Sequence, residues 1–104
     1  MYEPSRHIST FYIAGFQYYD GALVLGKLKP GKRLKMVSEP ENPYDPKAIM
    51  IQTETGTKIG YVPERDNLVF ARLMDAGKQL FARIKEKETR GKWLRIQIGI
   101  YLQD

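Results

Sequence analysis

The sequence predicts a mainly β fold with one or two short helices, in which about six strands curve into a small barrel. Three observations carry this. Turn signals recur at short intervals: Asp20-Gly21, Pro30-Gly31, Pro40 to Asp45, Thr55-Gly56, Gly77 and Arg90-Gly91. Between them lie short runs with apolar residues at alternate positions, the period of a half-buried strand. Only one stretch carries both the spacing and the end signals of a helix.

The first predicted strand, residues 8–15, is rich in β-branched and aromatic side chains. Residues 20–28 read as a loop with one turn of helix. Residues 33–39 alternate, with Leu34 and Met36 on one face and Arg33 and Lys35 on the other. Residues 48–53 and 57–62 flank Glu54-Thr55-Gly56, a hairpin turn. A helix is predicted over residues 67–76, with Asp66 as N-cap, Leu68, Val69, Leu73 and Ala76 at helical spacing, and Gly77 as the closing residue. Residues 78–86 place Leu80, Ala82 and Ile84 opposite Phe81, Arg83 and Lys85. The last strand, residues 93–102, alternates most strictly, and Leu94, Ile96, Ile98 and Ile100 are expected to be buried. The helix would plug an open end of the sheet, and the nearest common architecture is an oligonucleotide/oligosaccharide-binding (OB-like) barrel.

The 104 residues suffice for a single domain, here residues 1–104. No apolar run approaches the length of a membrane helix. The N-terminal residues carry Glu3, Arg6 and His7 and do not read as a secretory signal. With no cysteine, the expected compartment is the cytoplasm. A zinc site needs four ligands, mostly cysteine or histidine, and His7 is the only one present. No phosphate loop, serine–histidine pair or gathered carboxylates support catalysis, so the chain is read as a non-enzyme with no cofactor.

A net charge of +5 favours an anionic partner. The cations cluster: Lys27, Lys29, Lys32, Arg33 and Lys35 form one acid-free group, and Arg83, Lys85, Lys87, Arg90, Lys92 and Arg95 a second. Seven tyrosines accompany them. Basic and tyrosine-rich surfaces stack bases and track phosphates; equally, tyrosines can line a barrel whose lysines are simply solvated. In Asn42-Pro43-Tyr44-Asp45-Pro46, the two prolines rigidify a loop that presents Tyr44 beside Asp45. A fixed ring and a fixed carboxylate suit a nucleoside. The same residues can instead serve the loop, with Asn42 and Asp45 satisfying backbone groups and Tyr44 packing. Of the adjacent Tyr18 and Tyr19 at the end of the first strand, alternation lets at most one be fully buried. Gly60 leaves room for another backbone or a ligand to come close.

Three runs, in order, carry a resemblance: A-G-F-Q-Y-Y-D-G from Ala14, E-P-E-N-P-Y-D-P-K-A-I from Glu39 and G-T-K-I-G-Y-V-P from Gly56. Over about residues 9–102 the chain resembles the HIRAN domain family, as a stand-alone, bacterial-type member. The resemblance implies an OB-like barrel that binds single-stranded DNA and captures its 3′-hydroxyl end. It further implies a role in DNA repair or processing beside a separately encoded helicase or nuclease. It assigns nucleic-acid contacts to Tyr18, Tyr19, Asn42, Tyr44 and Asp45, with Tyr44 stacking and Asp45 reading the terminal hydroxyl. Gln17 stands where eukaryotic end-binding members have arginine, Tyr61 where they have histidine, and Glu64 where they have lysine. Arg65 is the nearby cation expected to compensate. Lys32 and Arg33 are expected to meet phosphates. The alternative is a protein- or peptide-interaction module that uses the same groove.

Overall fold

The computed structural model describes residues 5–91 and 93–103, with the side chains of Ser5, Arg90 and Trp93 left aside. Six strands and one α-helix follow in order: β1 (Ser5–Tyr12), β2 (Arg33–Ser38), β3 (Ile49–Thr53), β4 (Lys58–Tyr61), α1 (Glu64–Asp75), β5 (Gln79–Arg90) and β6 (Trp93–Gln103). They form one antiparallel sheet in the order β1-β6-β5-β2-β3-β4. The fold is therefore mainly β and OB-like, as the alternation predicts.

The two sheet edges meet just beyond β1. Ala14 and Tyr61 exchange backbone hydrogen bonds of 2.8 and 3.0 Å, and Ile13 N–H donates to Ile96 O at 2.9 Å. This single bridge joins the edges without a continuous ladder, so the barrel remains partly open. Gly60 makes the approach possible. Its φ is 155°, and a Cβ there would strike the Ile13 side chain and come within 2.7 Å of the Ala14 carbonyl. Only glycine tolerates both the dihedral and the crowding.

The inner face carries the core. Leu34 and Met36 of β2, Ile49 and Ile51 of β3, Ile59 of β4, Ala82 and Ile84 of β5, and Ile96, Ile98 and Ile100 of β6 are buried together. Phe70 and Ala71 bring α1 onto this core, with the Phe70 ring 6.0 Å from that of Phe11. Leu94 is only partly buried, because it pairs with Thr89 near the β5–β6 hairpin tip, toward which the strands run on from the core.

Several boundaries differ from expectation. β1 ends at Tyr12, and the chain turns at Gly15, whose φ is 71°. Tyr18 therefore lies in a 3-10 turn, Phe16–Tyr18, and not on a strand. A second 3-10 segment, Asp20–Lys27, occupies the predicted loop. The helix begins at Glu64, with Pro63 at the N-cap and no side-chain cap. Asp66 sits in the first turn, where it and Glu64 face the positive end of the helix dipole. β5 runs to Arg90, four residues past its expected end. Phe81, placed by alternation on the outer face, is only 4% exposed. The Arg33 guanidinium lies 3.9 Å from its ring centre and Tyr101 stacks beside it at 5.4 Å.

Candidate nucleic-acid interface

The β2–β3 loop is closed at its base by Glu39 N–H donating to Ala48 O at 2.9 Å. Its interior is organised by two side chains. Asn42 Oδ1 accepts from the backbone N–H groups of Tyr44 (2.9 Å) and Asp45 (3.1 Å), an arrangement that bends the chain as a backbone turn would. Asp45 Oδ1 accepts from Lys47 N–H at 2.8 Å, capping the next turn. Asp45 Oδ2 accepts from Asn67 Nδ2 at 2.8 Å, which ties the loop to α1. Asn67 is 4% exposed. The carboxylate is thus fixed from both sides, yet each oxygen keeps a further lone pair. Tyr44, by contrast, is 95% exposed: the loop holds its backbone and leaves its ring in solvent.

This loop borders an open cleft of about 400 Å³, whose other walls are Tyr19, Lys58, Tyr61 and the start of α1 at Glu64 and Asn67. The Tyr19 and Tyr61 rings are 5.7 Å apart and tilted by 58°. Lys58 Nζ sits 4.4 Å from the Tyr19 ring centre and 4.6 Å from that of Tyr61. It donates to Tyr61 Oη at 2.8 Å, and Tyr61 donates onward to Glu39 Oε1 at 2.6 Å. Asn42 Nδ2 donates to the same Glu39 oxygen at 3.1 Å. The relay shifts its members. Burial opposes ionisation of Glu39, but the donors Tyr61 and Asn42 and the charge of Lys58 outweigh it and hold the carboxyl below its ordinary value. The hydrogen bond with Tyr61 keeps Lys58 protonated beyond its ordinary value, against the effect of burial. Burial, and then the bond to Glu39, push the Tyr61 phenol upward. Lys58 therefore stays an ammonium and Tyr61 a phenol at neutral pH, and the Tyr19 ring and the Asp45 and Glu64 side chains line the same cleft.

Tyr19, Asn42, Tyr44, Asp45 and Tyr61 come together around this cleft. The other sequence-predicted residues stand elsewhere. Gln17 and Tyr18 lie outside its lining, with Tyr18 77% exposed. Arg65 faces a different groove, between α1 and Ile8, and its Nε lies 3.5 Å from Asp66 Oδ2. Lys32 and Arg33 belong to the turn before β2 and its first residue, away from the cleft. Lys58 and Asn67 are polar lining residues that sequence reasoning missed. Strict alternation puts Lys58 and Tyr61 on opposite faces. The register shift opposite Ile51 and Gln52 absorbs one residue and returns both to the same face. Asn67 reads as one polar position near a helix start, and only the fold shows that it faces Asp45.

A small, partly open β-barrel with an aromatic, lysine-bearing cleft at its seam is a binding scaffold of the OB-like kind. The sequence profile of the HIRAN domain matches residues 8–103, and the chain belongs to that family. No curated protein matches it in sequence. Among solved structures, a crystal structure of a protein from Lactobacillus plantarum superimposes with a TM-score of 0.86 at 24% identity, covering 96% of both chains. The crystal structure of the HIRAN domain of human HLTF gives a TM-score of 0.69 at 17% identity, covering 96% of this chain and 81% of that one. The NMR structure of the HLTF domain gives 0.63 at 16%, covering 96% and 80%. No described helix is long and apolar enough to cross a membrane.

Proposed function

We propose that this chain is a non-catalytic nucleic-acid-binding module that holds single-stranded DNA by its 3′-hydroxyl end in the cleft between the β2–β3 loop and α1. One observation supports this above the others: Lys47 N–H and Asn67 Nδ2 fix the Asp45 carboxylate, and Asn42 holds the backbone that sets it beside the solvent-facing ring of Tyr44. A fixed carboxylate accepts a hydrogen bond from a sugar hydroxyl, and a free ring stacks on any base. Tyr19 offers a second ring. Lys58 supplies the cation for the last phosphate, a charge that Gln17 and Tyr61 do not provide. The pairing of cation and carboxylate across one opening sets polarity: phosphate toward Lys58, hydroxyl toward Asp45. Such a module would act in DNA repair or processing and bring a separately encoded helicase or nuclease to the end. The family resemblance supports that role.

The test compares oligonucleotides that differ only in a free 3′-hydroxyl, a 3′-phosphate or a blocked 3′ end. Tighter binding of the hydroxyl form supports end capture. Equal, salt-sensitive binding of all three contradicts it, and no binding at all turns the reading toward a peptide ligand.

A further inference from the structure

Beyond the cleft, the outer face of the sheet carries a row of directly paired residues that crosses all six strands. Lys58 of β4 pairs with Gln52 of β3, and Gln52 with Lys35 of β2. Lys35 pairs with Phe81 of β5, Phe81 with Tyr101 of β6, and Tyr101 with His7 of β1. Paired neighbours share a face, and the ring contacts Phe81–Tyr101 (5.4 Å) and His7–Tyr101 (5.2 Å) confirm this for the far half. Five interstrand steps make the row roughly 24 Å long. The neighbouring row runs Arg33, Arg83, Gly99, Thr10.

Neither row contains an acid. Most of the cations on this face, Lys35 excepted, lie over rings. Besides Lys58 over Tyr19 and Tyr61, Arg33 and Arg83 lie 3.9 and 5.3 Å from the Phe81 ring centre, and Lys85 lies 5.3 Å from that of Tyr101. Energetically significant cation–π pairs occur about once per 70–80 residues. This one face carries five contacts among the described residues. Gly99 adds a constraint: a Cβ there would come within 2.7 Å of Lys85 Cε and 3.2 Å of both His7 and Tyr101. The face is therefore flat at its centre and carries cations from Lys58, where Glu39 is reached through Tyr61, across Lys35 and Arg83 to Lys85. The nearest acids on β5, Glu86 and Glu88, lie past Lys85 toward the hairpin tip, and Glu88 is bonded to Arg95 at 2.8 Å.

We propose that a nucleic-acid strand whose end occupies the cleft continues across this face, with its phosphates meeting Lys58, Lys35, Arg83 and Lys85 in turn. The buried Phe81 does not stack on bases; it orients the guanidinium groups above it. The contacts are to phosphate and carry no direct sequence information. The inference rests on the proposed function for where the strand begins, but the positive face stands independently of which end is held.

The experiment measures the affinity of a deoxythymidine decanucleotide with a free 3′-hydroxyl against salt concentration. It compares the parent, Lys35→Gln, Lys85→Gln, the double variant, and Arg72→Gln on the exposed side of α1, a control that loses the same charge as each single variant. Thermal melts establish that each is folded. For single strands the slope of log affinity against log salt falls by about 0.7 for each lost phosphate contact. The double variant should therefore lose about 1.4 from the slope, while Arg72→Gln keeps the parent slope. If the double variant keeps the parent slope, or if the parent does not bind, the path is refuted. A slope loss together with equal binding of 3′-hydroxyl and 3′-phosphate forms upholds the path and refutes end capture instead.

Discussion

Replacing Asn67 with alanine removes the donor that ties Asp45 to α1 and so tests how the cleft is assembled. Hydrogen bonds to charged groups contribute about 1.5–3 kcal/mol. Asp45 is half-buried, so water restores part of the loss and the lower end applies, about 1.5 kcal/mol. The buried amide also leaves a small void, which adds about 1 kcal/mol. Asn67→Ala should therefore lose about 2.5 kcal/mol, a fall in Tm of more than ~10 °C for a domain of this size. Asp45→Ala loses the same bond and also its cap on Lys47, worth about 1 kcal/mol. Urea unfolding of the parent, both single variants and the double variant isolates the shared bond. The coupling should be about 1.5 kcal/mol, because the double variant loses that bond only once. Additivity within about 0.5 kcal/mol would refute the claim that Asn67 holds Asp45.

Three further outcomes are expected. Gly60→Ala should destabilise the fold by about 3 kcal/mol, through backbone strain and the clash with Ile13 and Ala14 at the seam; an unchanged denaturation midpoint would contradict the closure described for the barrel. Glu39 titrates below its ordinary value, so its stabilising contribution is complete above the unfolded value of about 4.3 and is lost as pH falls through the lower folded value. Acid unfolding of Glu39→Gln should accordingly show a shallower decline below about pH 4 than the parent, and identical acid profiles would count against the Glu39–Tyr61–Lys58 relay. Reversing Lys32 and Arg33 to glutamate should weaken single-strand binding by a similar factor for different sequences, which anisotropy titrations with thymine-rich and adenine-rich strands would check.

The fold was legible where burial follows one period. Ile96, Ile98 and Ile100 alternate without interruption, and all three are fully buried. The loop chemistry was legible for a similar reason: Asn42 and Asp45 act on backbone groups two or three residues away, so their spacing predicts their bonds. What escaped were features that depend on a break in period or on distant partners. The left-handed turn at Gly15 leads into a 3-10 turn, so strand alternation does not govern Tyr18 and Tyr19 beyond the end of the first strand. The irregular register in β4 brought Lys58 beside Tyr61. Phe81 sits on the nominally exposed face, where Arg33 and Tyr101, both far away in sequence, cover its ring. The helix start escaped because a proline carbonyl, and not an acidic side chain, opens it: Asp66 N–H donates to Pro63 O at 2.9 Å.

The central claim is that Asp45 reads the terminal hydroxyl. It is tested most directly by the ratio of dissociation constants for 3′-phosphate and 3′-hydroxyl forms of one oligonucleotide, measured on the parent and on folded Asp45→Ala. A hydrogen bond to this half-buried carboxylate contributes about 1.5 kcal/mol, and the same carboxylate repels a phosphate, so the parent should prefer the hydroxyl end by about tenfold or more. In Asp45→Ala the ratio should fall to near one, whereas Tyr44→Ala should weaken both forms and leave the ratio intact. A folded Asp45→Ala protein that keeps the parent's ratio would contradict the account.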